Sequence, residues 1–263
     1  MPEFSEYPPG TPSWVDLGSP DVDASARFYG ALFGWEAAEA GPPEDTGGYR
    51  MFTLRGKQVA GLGPLQQEGQ PPAWTTYIAS DNADQTAEKA SGAGGQVFMP
   101  PFDVLDAGRM TIMADPTGGV FGVWQPGRHT GAQLANEPGS FAWNELRTRD
   151  IGAAKSFYNA VFGWDADTQD FAGGQYTMFK VGDKVVAGGM DMGDMFPAEV
   201  PPHWGVYFVV EDCDAAAAKV RDLGGQIQSE PMTTSAGRMA AVADPQGAAF
   251  SIIDPSTTEQ SGS

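Results

Sequence analysis

The chain has 263 residues, 41% hydrophobic and 19% charged, enough for one large domain or two ordinary ones. A formal charge of −19, from 34 acidic against 15 basic residues, repels phosphate backbones and makes nucleic acid a poor partner. No apolar run approaches the ~20 residues of a membrane helix, the opening MPEFSEYPPG lacks a secretory signal, and a lone Cys213 excludes an internal disulfide and argues against a zinc cluster, so a cytoplasmic protein without membrane partners is expected.

Trp14-Val15-Asp16-Leu17 begins a strand that leads into a helix. Asp21 stands where an N-cap is wanted. Val22, Tyr29 and Phe33 are spaced to lie near one helical face, and Gly34 stands where the helix should stop. From Trp74, WTTYIASDNAD reads as a second strand leading to a helix over 82–91, ended by Gly92-Ala93-Gly94-Gly95. Residues 108–126 read as two strands around an Asp-Pro-Thr-Gly turn. A stretch rich in Gly and polar residues follows at 125–139 and reads as a linker.

Beyond it the same phrases return. Trp143-Asn144-Glu145-Leu146 repeats Trp14 to Leu17, Asp150 repeats Asp21, and SFYNAVFGWD at 156–165 repeats RFYGALFGWE at 27–36. Met178-Phe179 repeats Met51-Phe52, and Pro201-Pro202 with Trp204 repeats Pro71-Pro72 with Trp74. Gly237-Arg238-Met239 repeats Gly108-Arg109-Met110, and Asp244-Pro245 repeats Asp115-Pro116. The order and the near-constant offset mark a duplication. Each copy is itself strand–helix–strands written twice, which gives four modules. One module alone is too small to bury a core, so the expectation is that the two modules of each half share one. The expected divisions are a first domain over 9–126, a linker over 127–137, a second domain over 138–254 and a loose tail over 255–263.

The pattern D-x-x-x-S-x-x-FY-x-x-x-FGW, a Gly-Gly before a strand, and GR-M followed by DP-x-G and Phe occur in this order, twice, over nearly the whole chain. In this the sequence resembles the vicinal oxygen chelate superfamily, which includes glyoxalase I, bleomycin-resistance proteins and extradiol dioxygenases. It is most similar to tandem glyoxalase-like proteins of actinobacteria, a group with members named as antibiotic-pathway hydroxylases and a culture-filtrate antigen. The resemblance implies an α+β fold: two tandem domains, each a pair of βαβββ modules forming a cupped mixed sheet with helices outside. In metal-using members, first-strand His and last-strand Glu hold a metal that binds vicinal oxygens of the substrate.

The ligand pattern is broken here. Counting from the strand–helix junctions places the first-strand positions at Trp14, Trp74, Trp143 and Trp204, and the last-strand positions at Gly122 and Ser251. Indole offers a metal no lone pair, glycine has no side chain and serine is a poor ligand. No metal and no cofactor is therefore expected. The four tryptophans either belong to the core or line aromatic cups that bind a ligand. In the second case Asp16 and Glu145, two residues on from Trp14 and Trp143, share their face and are candidates for orienting a ligand or moving a proton. Arg109 and Arg238 either clamp a ligand oxygen or tie down the Gly-rich loop. His203 stands beside Trp204 and is a third catalytic candidate, although neighbours on a strand face opposite ways. His129 reads as a surface residue of the linker, and Asp115 and Asp244 as turn residues.

The sequence thus reads as a glyoxalase-like protein whose Trp-lined cups bind a small, aromatic or polyketide-like molecule, with a proton shift or sequestration as the outcome, or the hydroxylation that the resemblance implies. Two alternatives stand beside this reading. One is a metal-dependent lyase or dioxygenase with unfamiliar ligands such as Glu145, His203 or Asp191; the other is an interaction protein with vestigial cups. A monomer or homodimer is expected, and any chemistry is expected in the more polar second cup.

Overall fold

A computed structural model describes residues 3–67, 69–171 and 174–258 of the chain. The first half runs β1 (Pro12–Ser19), α1 (Val22–Phe33), β2 (Glu36–Glu39), α2 (Pro43–Thr46), β3 (Arg50–Leu54), β4 (Lys57–Pro64), β5 (Ala73–Ala79), α3 (Ala83–Gly92), β6 (Gln96–Val104), β7 (Gly108–Ala114) and β8 (Val120–Pro126). The second half runs β9 (Phe141–Thr148), α4 (Ile151–Phe162), β10 (Asp165–Phe171), β11 (Gly174–Val181), β12 (Lys184–Asp191), β13 (His203–Val209), α5 (Cys213–Asp222), β14 (Gln226–Thr234), β15 (Gly237–Ala243) and β16 (Ala249–Asp254). The tail expected over 255–263 falls, from residue 259 onward, outside the described residues. Among the described residues no helix is long and apolar enough to cross a membrane.

The helix boundaries follow from local chemistry. Asp21, Asn82, Asp150 and Asp212 each hold an extended or near-extended backbone and accept a backbone N–H from the first helical turn. Gly34 and Gly163 end α1 and α4 at φ of 74° and 70°, a left-handed conformation that glycine adopts without penalty.

Each half forms one eight-stranded mixed sheet, in the order β2-β3-β4-β1-β5-β8-β7-β6 and β10-β11-β12-β9-β13-β16-β15-β14. At the centre of each, two first strands run antiparallel: β1 beside β5 and β9 beside β13. Each is flanked by a parallel neighbour, β4 on β1 and β8 on β5 in the first half. This is the α+β arrangement that the resemblance implies.

The cores are distributed differently from the sequence expectation. The modules of one half share a sheet, but their buried faces pack across the halves. One core joins Leu17, Phe28, Tyr29 and Trp35 of the first module to Phe208, Val220 and Phe250 of the fourth. The other joins Ile78, Ala87, Met113 and Phe121 of the second module to Leu146, Phe157, Tyr158 and Trp164 of the third. The reason is geometric: one face of each sheet is covered by the helices and the other sheet, and α1 lies against α5 while α3 lies against α4.

The same crossing gives the Asp-Pro turns more than turn chemistry. Asp244 accepts the N–H groups of Gln246 and Ala248 in its own turn and also the hydroxyl of Tyr29 from the other half, at 3.1 Å. Asp115 does the same for Tyr158 at 2.9 Å. These reciprocal buried bonds tie the halves together. Tyr29→Phe and Tyr158→Phe are each expected to cost about 1–3 kcal/mol, because a buried acceptor loses a partner. Urea unfolding checks this, and a loss below about 0.5 kcal/mol in both variants would show that the bonds contribute nothing.

The linker is also less independent than its composition suggests. Ala132, Leu134 and Ala135 are buried, and Ala132 N–H bonds to Ser13 O at 2.8 Å, so residues 127–140 run along the ends of β1 and β4.

Candidate functional site

Register decides which side chains meet. In the first half Trp14 pairs with Tyr77, Asp16 with Thr75, and Leu17 with Trp74. Directly paired residues share a face, so Trp14, Asp16, Thr75 and Tyr77 lie together on one side of the sheet and Trp74 lies on the other with Leu17. The second half repeats this, with Trp143 opposite Tyr207, Glu145 opposite Gly205, Arg147 opposite His203, and Leu146 opposite Trp204.

Trp74 and Trp204 are therefore core residues, which corrects their assignment to the cups. Each is 5% exposed. Trp74 Nε1 donates to Tyr29 OH at 3.1 Å and Trp204 Nε1 to Tyr158 OH at 3.0 Å, which places both on the cross-half bonds described above. The count failed by one residue. The caps of α3 and α5 are Asn82 and Asp212, so the positions equivalent to Trp14 and Trp143 are Thr75 and Gly205. A slip of one along a strand changes the face.

Arg109 and Arg238 are corrected as well. Arg109 makes a two-toothed ion pair with Asp84 of α3 (2.7 and 2.9 Å) and reaches Asp103 on the neighbouring strand. Arg238 pairs with Asp214 of α5. Both tie a strand to a helix and leave the cups without them.

What lines the first cup is an acid in an aromatic frame. Asp16 Oδ2 accepts the hydroxyls of Tyr77 at 3.0 Å and Tyr49 at 3.2 Å, and Tyr49 OH accepts Trp14 Nε1–H at 3.1 Å. Glycines make the room: a Cβ at Gly61 would collide with the Tyr49 hydroxyl, and one at Gly122 with the Tyr77 ring. Burial raises the Asp16 carboxyl to about 6, although hydrogen bonds from Tyr77, Tyr49 and Thr75 pull the other way. Burial and the neighbouring Asp16 charge hold both tyrosines well above their ordinary value, so they stay protonated donors.

His129 is not a surface residue. It is 9% exposed, with its ring edge-on to Trp14 (4.4 Å between centroids) and near Trp124 (5.5 Å). The packed linker carries it there, and Trp124 Nε1 donates to its backbone carbonyl at 2.8 Å. Its Nδ1 lies 3.0 Å from Gln58 Oε1, which can only accept from it, so Nε2 carries the lone pair. Burial lowers its pKa to about 4, so the ring is neutral near pH 7.

The second cup keeps the frame and changes the chemistry. Trp143 Nε1 donates to Tyr176 OH at 2.8 Å, and Tyr207 OH donates to Glu145 Oε1 at 2.9 Å. Arg147, which stands where the first half has Gly18, adds a cation: its Nε donates to Glu145 Oε1 at 3.1 Å and its Nη2 to Tyr207 OH at 3.2 Å. Burial works against its charge, but Tyr207 and Glu145 hold the guanidinium above its ordinary value. His203 shares the cup face with Arg147, against the expectation drawn from Trp204, because Trp204 is the one that points away. It sits at the rim, with Nδ1 2.9 Å from Pro201 O and its ring near Phe196 (6.1 Å), and burial lowers its pKa. Asp191 caps the N–H of Gly193 and is exposed.

These donors do not fit a metal. A divalent site takes three or more ligands. In the first cup the one carboxylate is engaged by phenol hydroxyls, and in the second by Tyr207 and a guanidinium. Among the described residues there is no group of three or more His, Cys, Asp or Glu able to hold an ion.

Tyr49, Tyr77, Tyr176, Tyr207 and Arg147 were not among the sequence candidates. The tyrosines left a usable signal, since Tyr49 recurs as Tyr176 and Tyr77 as Tyr207 at the offsets of the blocks around them. Arg147 left none, because its value depends on knowing which face it takes.

Comparison with known proteins agrees with this architecture. The family model described as "Glyoxalase/Bleomycin resistance protein/Dioxygenase superfamily" matches residues 11–122 and again 140–252. The protein named "Putative glyoxylase CFP32" of Mycobacterium tuberculosis (strain CDC 1551 / Oshkosh) is 47% identical over 260 residues, 97% of this chain and 98% of that one. The anthracycline biosynthesis protein DnrV of Streptomyces peucetius is 42% identical over 265 residues, 95% of each chain. Among solved structures, the 2,3-dioxygenase LapB from Pseudomonas sp. KL28 is similar in fold, with a TM-score of 0.64 at 12% identity, covering 94% of this chain and 93% of that one. With both halves matched and two relatives similar from end to end, the chain belongs to the glyoxalase/bleomycin resistance protein/dioxygenase superfamily.

Proposed function

We propose that the two cups bind a small planar molecule, aromatic or polyketide-like, without the metal chelate used elsewhere in the superfamily, and that Asp16 in the first cup exchanges a proton with it. The observation that supports this most is the repeated frame. In each half the indole N–H of the first-strand tryptophan donates to a tyrosine hydroxyl, and a second tyrosine donates to the acid two residues along. Indole and phenol faces favour planar ligands, and their polar edges leave an acid to orient or protonate one. A relative named for anthracycline biosynthesis is consistent with a polyketide-like ligand.

The neutral-to-charged balance of Asp16 makes the first cup the better place for proton transfer. A carboxyl at about 6 is partly protonated near neutrality and can give or take a proton there. Glu145 is paired to Arg147, which suits binding more than proton exchange. On this proposal the first cup, and not the second as the sequence led one to expect, carries the chemistry.

Fluorescence titration with 1,8-dihydroxyanthraquinone tests the reading. Trp14→Ala and Trp143→Ala are each expected to weaken binding at their own cup by roughly 1–3 kcal/mol if the rings stack on the ligand. Unchanged affinity in both would remove the cups as binding sites. Elemental analysis of protein purified without chelators belongs beside it, since one tightly held transition metal per chain would overturn the metal-free part.

A further inference from the structure

Among the differences between the halves is one coupled pair of positions. The first has Gly18 on β1 and Thr75 on β5; the second has Arg147 on β9 and Gly205 on β13. The exchange is steric as well as electrostatic. A Cβ at Gly205 would stand 3.0 Å from Arg147 Cζ, so the glycine is what lets the guanidinium lie against the sheet.

Lying there, Arg147 reaches three strands. It touches Glu145 on β9, Tyr207 on β13 and, at 3.5 Å, Ser251 on β16. Ser251 is the last-strand position at which the sequence count looked for a metal ligand. A fixed organic cation thus stands among the strands that would otherwise supply a chelate. Two rings frame it, Phe196 and Tyr207, at 5.7 and 5.8 Å from Cζ. Phe196 is held in place by Arg149, whose guanidinium donates to Gly193 O at 3.1 Å and Pro197 O at 2.7 Å and so anchors the loop between β12 and β13.

The charge has capacity left over. Nε is spent on Glu145 and Nη2 on Tyr207, with Ser251 a longer second contact of Nη2 at 3.5 Å, but among the described residues Nη1 has no acceptor, and the side chain retains 13% exposure. A guanidinium presents two parallel donors along the Nη1–Nη2 edge, a spacing that matches the two oxygens of a carboxylate or an enolised diketone. Glu145 is turned to the Nε side, where its Oε1 already takes two donors. The first cup has no counterpart, since the groups acting on Asp16 are burial, two tyrosines and a threonine, with no cation.

We infer that the second cup is an oxyanion site, in which the Nη1–Nη2 edge of Arg147 binds the paired oxygens of a planar anionic ligand, while the first cup takes an uncharged one. The inference rests on the reading of the cups as binding sites. It separates their ligand classes and makes Arg147, with Gly205 beneath it, the residue that determines specificity.

Isothermal titration calorimetry with salicylate and its uncharged analogue salicylamide tests it. At the second cup, the wild-type protein is expected to bind one salicylate per chain at least about tenfold more tightly than salicylamide. Loss of a charge-assisted, two-donor contact in Arg147→Met should weaken salicylate by about 10–100-fold and change salicylamide by less than about threefold. Because Arg147→Met leaves Glu145 without its counter-charge, the double variant Glu145→Gln/Arg147→Met is measured beside it, with melting temperature recorded for both. Discrimination that persists in the folded double variant overturns the inference. So does salicylamide binding as tightly as salicylate at the site that Arg147→Met weakens, a result that leaves the cups standing as binding sites. Failure of both probes at millimolar concentration overturns the inference and counts against the binding reading with it.

Discussion

Trp204→Ala is expected to lower stability by about 3–5 kcal/mol while leaving the affinity of the second cup within about twofold. The ring is 5% exposed and packs on Tyr158 and Trp164, with centroids 5.6 and 6.3 Å away. Its indole N–H satisfies Tyr158 OH, which in turn bonds Asp115 of the other half. Truncation therefore opens a cavity and loosens a buried polar bridge at the same time. Trp74→Ala should behave alike through Tyr29 and Asp244. For a chain of 263 residues this corresponds to a fall in melting temperature on the order of 10 °C. Trp143 is half-buried on the cup face, and its truncation should show the opposite profile, with most of the loss in binding. Melting temperature and affinity measured on the same three variants decide between the placements. A Trp204→Ala protein of unchanged stability and weakened binding would return that ring to the cup.

Asp16 should make stability depend on pH in a direction unusual for a carboxylate. Burial raises its folded-state value to about 6 from an ordinary 3.8, so between about pH 4 and 6 the folded protein holds a proton that the unfolded chain releases. Stability contributed by this group is complete below about pH 4 and is lost as pH rises through about 6. A two-unit difference corresponds to about 3 kcal/mol at most. Asp16→Asn keeps an acceptor for Tyr49 and Tyr77 and removes the titration. The variant is expected to match the wild type near pH 4 and to exceed it by about 2–3 kcal/mol at pH 7, in urea unfolding across that range. Comparing the two proteins cancels the carboxylates that titrate the other way, such as Asp84 and Asp214, which their arginine partners hold low. Parallel stability curves for the two proteins would mean that Asp16 is hydrated and titrates normally.

The two results bear on different links between structure and function. The first concerns which face of a strand a residue takes, the second what burial does to a charge once it is there. If Asp16 titrates near 6, the first cup holds a carboxyl that is partly protonated near neutrality. If Trp204 is core, the cup faces of the two sheets carry Trp143 and four tyrosines beside a Trp14 that is itself only 3% exposed, and the cross-half tyrosine–aspartate bonds become the fixed platform behind them.

Much of the architecture could be read from the chain alone, and the reason is that it is written locally. A cap needs one acceptor three residues from a helical N–H, so Asp21 and Asp150 could be placed from sequence, as could the glycines that end the same helices. A duplication is visible because equal structures retain equal residues at a constant offset, and through it the family, the four modules and the strand-helix order followed. The missing histidine and glutamate at Trp14, Trp143, Gly122 and Ser251 were legible too, since those side chains cannot do such work wherever they point, while the other two first-strand positions, Thr75 and Gly205, were not. The tertiary structure decided the rest. It set the faces of β5 and β13, where a cap displaced by one residue moved Trp74 and Trp204 into the core and brought Thr75, Tyr77, Gly205 and Tyr207 to the cups. It joined modules across the halves, buried His129 by folding the linker back, and turned Arg109 and Arg238 to helix carboxylates while Arg147 took the cup. Each of these depends on contacts between residues distant in sequence, and strand periodicity, which repeats every two residues, cannot say which of its two faces meets the ligand until register is known.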